Sequence, residues 1–580
     1  MRFQEKTKKL FFFLRYSETS FLLIFSIVIG VGSGFGAVIF RWLINNFRSL
    51  FFEHSLNILH FMGSFYVIII PAIGGLIIGP LIYFFAREAK GHGVPEVMLA
   101  IATTGGRIRA RVAIIKALAS SICIGSGGSV GREGPIVQIG STLGSSLGQV
   151  FKLSEEKVKI LVAAGAAGGI AATFNAPLAG IFFALEVILG EYGLKFFSSV
   201  VLSSVTATVI SRTFLGDHPA FMVPPYELLS VWEIPLYFIF GFLAAFMALL
   251  YIRLIYKCED LFDSWKISEY VKPAVGGLLI GLIGFFFPQI FGVGYETIEL
   301  ALYGKIVLGL VSILVLAKIL ATSITLGSGG SGGVFAPSLF IGAMLGEFYG
   351  KLTQILLPSI AIPSGACALV GMGAVFSGAA HAPISAILIM FEMTGNYKII
   401  LPLMITCITS TLVVRHFTKD SIYTLKLRRR GIDLQEFRRA DLMDSITVSD
   451  AMVKNVVTFN DFIIVKEAES TIKADARFRH RGFPVLDSES NLAGIVTRKD
   501  INEALFNGKE NILIKEIMNT DITVCYPDDT LKNALQKLGE KDIGRIPVVE
   551  KGTLGHLIGL ITRENIIAAY NEALMKTKKT

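Results

Sequence analysis

Length, composition and charge place this chain among membrane proteins. It has 580 residues, of which 53% are hydrophobic and only 17% charged, and its mean hydropathy is +0.62, which excludes a single soluble domain. The formal net charge of +9 could indicate nucleic-acid binding, but basic residues cluster beside apolar runs, at 6–15 and 426–439. This pattern is typical of the cytoplasmic flanks of membrane helices. We therefore predict a protein of the lipid bilayer with no nucleic-acid partner.

Long apolar runs extend from Phe21 to about Phe417. A helix needs about 20 apolar residues to cross the hydrocarbon core. On this basis we predict membrane helices at 19–50, 65–87, 197–214, 228–257, 273–292, 306–326 and 398–417. The pieces between them, including 134–150 and 158–173, are shorter or interrupted, and we expect broken helices there. The basic flanks predict an integral, multi-pass protein with both termini cytoplasmic, in a bacterial-type inner or plasma membrane.

One stretch of the sequence occurs twice. KALASSICIGSGGSVGREGP at 116–135 returns as KILATSITLGSGGSGGVFAP at 318–337, and twelve of the twenty positions are identical. The segments 177–186 and 383–392 also correspond, since each begins with Pro and ends with Glu. Corresponding broken segments in two halves are typical of inverted-repeat transporters. The predicted repeat halves are about 60–215 and 270–417.

Each copy interrupts an apolar helix with Gly-Ser-Gly-Gly-Ser and has a proline a few residues later. Proline is tolerated in the first turn of a helix, so each copy predicts a loop followed by a new helix start. Helix starts carry unpaired N–H groups and a partial positive charge, which favour anions. The GxGxxG pattern at 327–332 does not indicate a dinucleotide site, because it lies between apolar helices and follows no strand.

The two copies differ most at one place. Residues 132–134 are Arg-Glu-Gly, whereas residues 334–336 are Val-Phe-Ala. A carboxylate beside inward-pointing N–H groups would compete with a free anion for them, so we predict that Glu133 is a gate. The alternative is a salt bridge between Glu133 and the adjacent Arg132.

The composition becomes that of a soluble α/β protein from Asp441 onward. Residues 494–500 and 559–565 are two copies of one motif at an offset of 65, which predicts two modules side by side. The predicted segments are a cytoplasmic N-terminal segment at 1–18, an all-α membrane domain at 19–425, a basic linker at 426–446, and two modules at 447–505 and 511–572.

Three motifs resemble the signature motifs of the CLC chloride channels and transporters: GSGGSVGREGP at 125–135, GGVFAP at 332–337 and GHGVPE at 91–96. The soluble tail resembles the paired CBS domains that many members carry. The resemblance implies a CLC-like homodimer with a glutamate-gated pathway for chloride or a related anion in each subunit. It implies that Glu133 is the external gating glutamate. The anion ligands it implies are the backbone amides of Arg132, Glu133, Gly134, Val334 and Phe335, the residue at position His92, and the Tyr423 hydroxyl.

The chain departs from the family pattern at His92 and Val187. In the family, the motif at 91–96 usually has a serine at the position of His92, and the serine hydroxyl contacts the anion. An imidazole can donate one N–H in its place. Family antiporters usually have a proton-relaying glutamate at Val187, and valine cannot take a proton. We therefore predict passive, channel-like conduction; the alternative is a chloride/proton antiporter that uses Glu133 with another proton route. Glu186 has a counterpart in Glu392, which favours a structural role for both.

The resemblance also implies an adenine nucleotide (ATP, ADP or AMP) at the CBS pair, with Thr497, Asp500 and Thr562 as ligands. The second copy has Asn565 where the first has Asp500, and a purely structural pair is the alternative. No required cofactor, no metal site and no enzymatic activity are predicted, because the tail contains no clustered His/Cys ligands and no nucleophile with an evident base. A cation transporter is not indicated, because the broken helices offer glycine amides where acidic residues would be needed.

Overall fold

The computed structural model describes residues 18–54, 60–228, 230–360, 362–434, 443–444, 446–474, 481–552 and 555–579. The chain divides into two compact units between Ile432 and Asp433. Residues 1–17 of the predicted N-terminal segment, and residues 435–442 and 445 of the predicted linker, lie outside the described residues.

The first unit is helical. Its α-helices are α1 (Glu18–Arg48), α2 (Tyr66–Phe85), α3 (Val94–Thr103), α4 (Arg111–Gly125), α5 (Glu133–Val150), α6 (Glu155–Phe174), α7 (Pro177–Phe183), α8 (Leu194–Leu215), α9 (Glu233–Ser264), α10 (Lys272–Phe286), α11 (Tyr295–Leu302), α12 (Leu308–Gly327), α13 (Phe335–Leu356), α14 (Ser364–Ala380), α15 (Pro383–Thr394), α16 (Ile400–Phe417) and α17 (Thr424–Arg429). Helix α7 continues as a π-helix over Ala184–Leu189. Proline stands in the first turn of α3, α7, α10 and α15, where its missing N–H removes no intrahelical bond.

Seven helices in the described part of the chain are long and apolar enough to cross a membrane: α1, α2, α6, α8, α9, α12 and α16. Two helices differ from the sequence-based prediction. Helix α6 is continuous over 20 residues where 158–173 was expected to be broken. Helix α10 has only 15 residues where 273–292 was expected to span, since it ends just before Pro288 and the residue preceding a proline disfavours helical geometry.

Reciprocal close contacts relate the two halves of the unit. A Cβ on Gly75 of α2 would lie 2.1 Å from the carbonyl oxygen of Pro273, and a Cβ on Gly277 of α10 would lie 2.1 Å from that of Pro71. The two contacts exchange equivalent residues, as a two-fold axis between the halves requires. The backbones can approach this closely because these positions carry no side chain.

The same device joins neighbouring helices within each half. Gly140 of α5 faces Gly165 of α6, and Gly342 of α13 faces Gly371 of α14, with each added Cβ only 2.0–2.2 Å from the opposite carbonyl oxygen. Helix α1 packs on α8 and α6 as α9 packs on α16 and α14. The equivalence therefore adds α1 and α9 to the two halves inferred from the sequence.

The second unit contains α18 (Val448–Ala451), β1 (Phe459–Asn460), α19 (Val465–Ala474), β2 (Gly482–Leu486), β3 (Leu492–Thr497), α20 (Arg498–Phe506), α21 (Leu531–Glu540), β4 (Arg545–Val549), β5 (Leu557–Thr562) and α22 (Arg563–Lys579). Strand β2 pairs with β1 in parallel and with β3 in antiparallel, and β4 pairs with β5 in antiparallel. The pairs are equivalent, because Phe483 opposite Val496 corresponds to Ile546 opposite Ile561.

Each module of the second unit contributes its first residues to the other module's core. Met452 packs against Gly559 of β5, and Met518 packs against Gly494 of β3. Val448, before Met452, belongs to the hydrophobic cluster built mainly by the second module. This exchange explains why a methionine occurs near the start of both repeats.

Candidate functional site

The two duplicated loops meet at the centre of the first unit. Helices α4 and α12 end at Gly125 and Gly327, and after each loop a new helix begins, α5 at Glu133 and α13 at Phe335. Both loops turn through a glycine with positive φ, 98° at Gly127 and 104° at Gly329, a conformation that favours glycine. The predicted pair of loops followed by helix starts is confirmed.

Backbone hydrogen bonds hold the two helix starts face to face. The Gly131 N–H donates to the Gly333 carbonyl at 2.8 Å, and the Gly333 N–H donates to the Gly131 carbonyl at 2.6 Å. Hydroxyl groups repeat this exchange, with Ser120 Oγ 2.8 Å from Ser331 Oγ and Ser129 Oγ 3.4 Å from Thr322 Oγ1. The first turns of α5 and α13, one from each repeat, therefore lie against each other.

The Glu133 carboxylate lies between these helix starts. The side chain is buried, with 2% of its surface exposed. Its Oε2 accepts the Ala336 N–H at 3.3 Å, and its Oε1 accepts the Tyr295 hydroxyl at 3.4 Å. A Cβ on Gly131 would lie 2.0 Å from Oε2, so the glycine leaves room for the carboxylate in its observed position. The Glu133 carboxylate therefore accepts a hydrogen bond from an N–H group in the first turn of α13, the corresponding helix of the other repeat.

The Arg132 guanidinium contacts residues other than Glu133. Its guanidinium donates to the Thr173 carbonyl at 3.3 Å and lies over the rings of Tyr295 and Phe174, 5.0 and 5.9 Å from their centroids. No ion pair joins Arg132 to Glu133 in the described part of the chain. The salt bridge considered as the alternative to a gate is absent there.

The counterpart of Glu133 is an apolar side chain. The buried Phe335 ring packs against Phe174 and Phe376, with centroid separations of 5.1 and 4.4 Å. The preceding residue, Val334, is also buried, and its carbonyl accepts the Tyr251 hydroxyl at 3.1 Å. The α13 start is thus fixed by packing, and the carboxylate that accepts one of its N–H groups comes from α5.

His92 and Tyr423 come together although 331 positions separate them in the chain. Both are buried, and their ring centroids are 6.1 Å apart. The His92 Nε2 lies 3.5 Å from the Tyr256 hydroxyl, which donates to the Ile422 carbonyl. The His92 Nδ1 has no hydrogen-bond partner among the described residues. Glu133 is likewise buried, so all three side chains lie in the interior of the first unit.

Two buried lysines shape this region, and they are not among the site residues predicted from the sequence. Lys116 Nζ donates to the carbonyls of Ala89 and Gly91, at 3.0 and 2.6 Å. Its counterpart Lys318 donates to the equivalent pair in the second repeat, the carbonyls of Ile290 and Gly292, both at 2.9 Å. The signal was present in the sequence, since the duplicated stretch places both lysines in apolar helices, where ionisable residues are rare.

Glu186 and Glu392 form reciprocal contacts between α7 and α15: the glutamate that follows or ends one helix binds the first turn of the other. Glu392 accepts the N–H groups of Leu178 and Ala179 in the first turn of α7, at 3.0 and 2.7 Å. Glu186 accepts the N–H groups of the residue pair 384–385 in the first turn of α15, at 3.3 and 2.7 Å, and the Ser385 hydroxyl at 2.7 Å. Val187, beside Glu186, is buried.

The nucleotide ligands predicted in the tail all belong to helix caps. Thr497 N and Oγ1 both lie 2.7 Å from Asp500 Oδ2, and the Asp500 N–H donates back to Thr497 Oγ1. Thr562 and Asn565 form the same arrangement at the start of α22. A capping box of this kind satisfies the first N–H groups of a helix. Asn565 thus replaces Asp500 without loss of the cap.

A duplicated, multi-pass helical unit with two facing helix starts is the architecture of a membrane transport protein, and comparison with known proteins agrees. The model of the voltage-gated chloride channel family matches residues 74–415, and that of the CBS domain matches 448–507 and 514–572. The chain therefore belongs to the voltage-gated chloride channel family, the CLC family of the predicted resemblance, and it carries two CBS domains.

Relatives include proteins named as channels and as exchangers. Chloride channel protein CLC-f of Arabidopsis thaliana is 29% identical over 584 residues, covering 86% of this chain and 73% of that protein. The H(+)/Cl(-) exchange transporter ClcA of Vibrio parahaemolyticus is 32% identical over 372 residues, covering 63% of this chain and 79% of that protein. The crystal structure of a slow cyanobacterial Cl-/H+ antiporter aligns with a TM-score of 0.65 and 28% identity, covering 70% of this chain and 97% of that one. The predicted CLC fold class is confirmed, and the chain is a transport protein.

Proposed function

We propose that the protein conducts chloride or a related anion through a pathway that Glu133 gates. The observation that carries this proposal is the contact between Glu133 Oε2 and the Ala336 N–H at the start of α13. A backbone N–H at a helix start favours an anion, and the carboxylate holds that place. A free anion can take it only when Glu133 moves away or loses its charge. The amides of Arg132, Gly134, Val334 and Phe335 are the further anion ligands we propose.

Parallel measurement of anion and proton flux in liposomes tests the gate. Glu133→Gln removes the charge that competes with the anion, so anion flux should persist and lose its dependence on pH and voltage. Glu296→Gln is a matched control, because that carboxylate is exposed and paired with Arg48 at 3.2 Å. Gating unchanged in Glu133→Gln would reject the role of Glu133.

We favour passive conduction over strict exchange. Val187 cannot carry a proton, and the adjacent Glu186 is engaged by the start of α15, which leaves it poorly suited to relay one. The alternative is a chloride/proton antiporter with another proton route, as the exchangers among its relatives suggest. Reversal potentials under a pH gradient at fixed chloride separate the two, because any shift with the proton gradient excludes the passive channel.

At the other end of the pathway, His92 and Tyr423 are the proposed anion ligands. Both are buried, and the His92 Nδ1 is free of protein partners within the described ranges. A neutral imidazole donates a single N–H, and in the tautomer with the proton on Nδ1 this group can replace the serine hydroxyl of the family motif. His92→Ser should therefore keep conduction and change the relative flux of chloride, nitrate and fluoride. An unchanged anion preference would remove His92 from the site.

The CBS pair is proposed to bind an adenine nucleotide through Thr497, Asp500 and Thr562. These side chains are partly exposed at the starts of α20 and α22, although each also takes part in a cap. Equilibrium binding of ATP, ADP and AMP to the full-length protein tests the proposal. Absence of binding, or binding unaffected by Thr497→Val, would favour the structural alternative.

The assembly and its orientation are also proposed. Family resemblance supports a homodimer with one pathway per subunit, and the basic flanks support cytoplasmic termini in a bacterial-type inner or plasma membrane. Cross-linking in native membranes would test the dimer. Protease accessibility of the tail in sealed vesicles would test the orientation.

A further inference from the structure

The short helix α17, which follows Tyr423, contains one basic side chain that forms no ion pair with any residue that the structure describes. The three arginines near its end are each paired with a carboxylate: Arg428 with Asp420 at 2.7 Å, Arg429 with Asp260, and Arg430 with Glu96 at 2.8 Å. Lys426 lies in the same segment, yet across the described residues it takes part in no ion pair and donates no hydrogen bond. Glu96 and Glu259 interact with it only at longer range.

Lys426 is also buried, with 5% of its surface exposed. An ammonium group removed from water is costly unless an opposite charge or hydrogen-bond acceptors replace the water. The other buried lysine in this region, Lys116, meets this need with the carbonyls of Ala89 and Gly91. For Lys426, the protein supplies no such acceptor within the part of the chain that is described.

The ammonium group lies beside the signature motif at 91–96. Lys426 Nζ lies 2.8 Å from the position that a Cβ would take on Gly91, a residue with φ of 72°. The next residue is His92, whose buried Nδ1 also lacks a partner among the described residues. The Lys426 ammonium and the unpartnered imidazole nitrogen are therefore brought to consecutive residues of this motif, Gly91 and His92, and the His92 ring lies 6.1 Å from that of Tyr423. A small negatively charged ligand could interact favourably with both groups at once.

We propose that Lys426 is an anion ligand at the His92 end of the pathway. A halide or similar monovalent anion bound there would neutralise Lys426 and accept the N–H of His92 in the tautomer that carries its proton on Nδ1, the atom without a partner among the described residues. The positive charge gives this end of the pathway an attraction that the neutral amides of the duplicated loops supply only partly. This inference rests on the proposed anion-conducting function, and it adds a charged side chain to a site otherwise built from amides, an imidazole and a hydroxyl.

Chloride titration of the purified full-length protein in chloride-free buffer, followed by calorimetry, tests the proposal. Lys426→Gln should weaken chloride binding roughly tenfold, which corresponds to about 1.4 kcal/mol. Lys426→Arg keeps the charge and should restore affinity to within about twofold, which a merely structural role for the lysine side chain would not predict. Arg428→Gln is the matched control on the same helix, because an exposed, paired charge contributes little.

The outcomes separate this inference from the function on which it rests. A wild-type protein that binds no chloride and conducts no anion rejects the proposed function. Wild-type binding that Lys426→Gln leaves unchanged rejects only the role of Lys426. If Lys426→Gln is not monodisperse, Lys426→Arg decides, because a folded Lys426→Arg protein with a tenfold loss of affinity also overturns the inference.

Discussion

Replacing Glu186 by glutamine should destabilise the membrane unit and leave proton movement unchanged. The Glu186 carboxylate accepts the N–H groups of Ile384 and Ser385 and the Ser385 hydroxyl. Glutamine has one oxygen acceptor in place of two, and its amide group donates hydrogen bonds. At least one of the three donors therefore loses its partner, and the negative charge near the positive end of α15 is lost.

The size of the effect follows from these contacts. A hydrogen bond to a charged group is worth about 1.5–3 kcal/mol, and a charge near a helix terminus about 0.3–1 kcal/mol. Because glutamine retains part of the interaction, we expect a loss of about 2 kcal/mol. For a unit of this size, the midpoint of thermal unfolding should fall by roughly 2–4 °C. Glu392→Gln, which weakens the reciprocal contacts with Leu178 and Ala179, should have a similar effect.

Two measurements on the same preparations test the reasoning. Fluorescence-monitored unfolding of the detergent-solubilised proteins gives the stability change, and reversal potentials in liposomes under a pH gradient give proton coupling. Wild type and both variants should share one reversal potential at fixed chloride. A Glu186→Gln protein with unchanged stability and an altered reversal potential would show that Glu186 relays protons, and it would refute the structural role.

Three further predictions follow from close packing and helix capping. Gly140→Ala places a Cβ 2.1 Å from a carbonyl oxygen of α6 and should abolish monodisperse protein in size-exclusion chromatography, whereas Gly309→Ala, with nothing within 4 Å, should not. Gly559→Ala places a Cβ 2.6 Å from Met452 Sδ, a flexible side chain that can shift, so the tail should lose roughly 1 kcal/mol and be cleaved faster by trypsin in the full-length protein. Thr497→Ala removes the cap of α20 and should cost about 1 kcal/mol in the same assay; an unchanged cleavage rate would contradict it.

The sequence predicted the helix starts well but predicted helix continuity poorly. The duplication fixed where α5 and α13 begin, because a repeated loop followed by proline has few other solutions. Helix α6 was expected to be broken because of its glycines, yet Gly165 faces Gly140 and serves helix packing. Sequence alone does not distinguish a glycine that ends a helix from one that admits a neighbouring backbone. The difference lies in the partner helix.

The sequence identified several residues of the site, but it did not predict which groups they contact. Glu133 was identified because it breaks the repeat, and Glu186 because it keeps the repeat. Lys116 and Lys318 also keep the repeat, but their function depends on carbonyls of residues 25 to 28 positions away in the chain. Lys426 was assigned to a basic membrane flank, since the pairing of its neighbours with carboxylates is visible only in three dimensions.

The difference between Glu133 and Phe335 gives a symmetric fold a direction. The two repeats offer equivalent helix starts, joined by the reciprocal bonds of Gly131 and Gly333. On one side, a carboxylate takes the N–H that opens the opposite helix; on the other, an aromatic ring is packed in place and has no group to exchange with an anion. On the proposed function, an anion passing Glu133 must therefore displace a negative charge, whereas one arriving at Lys426 meets a positive charge. The two ends of the pathway then differ in the step that limits passage of the anion. At the Glu133 end this step is displacement of the carboxylate, and at the Lys426 end it is release of the anion from the ammonium group.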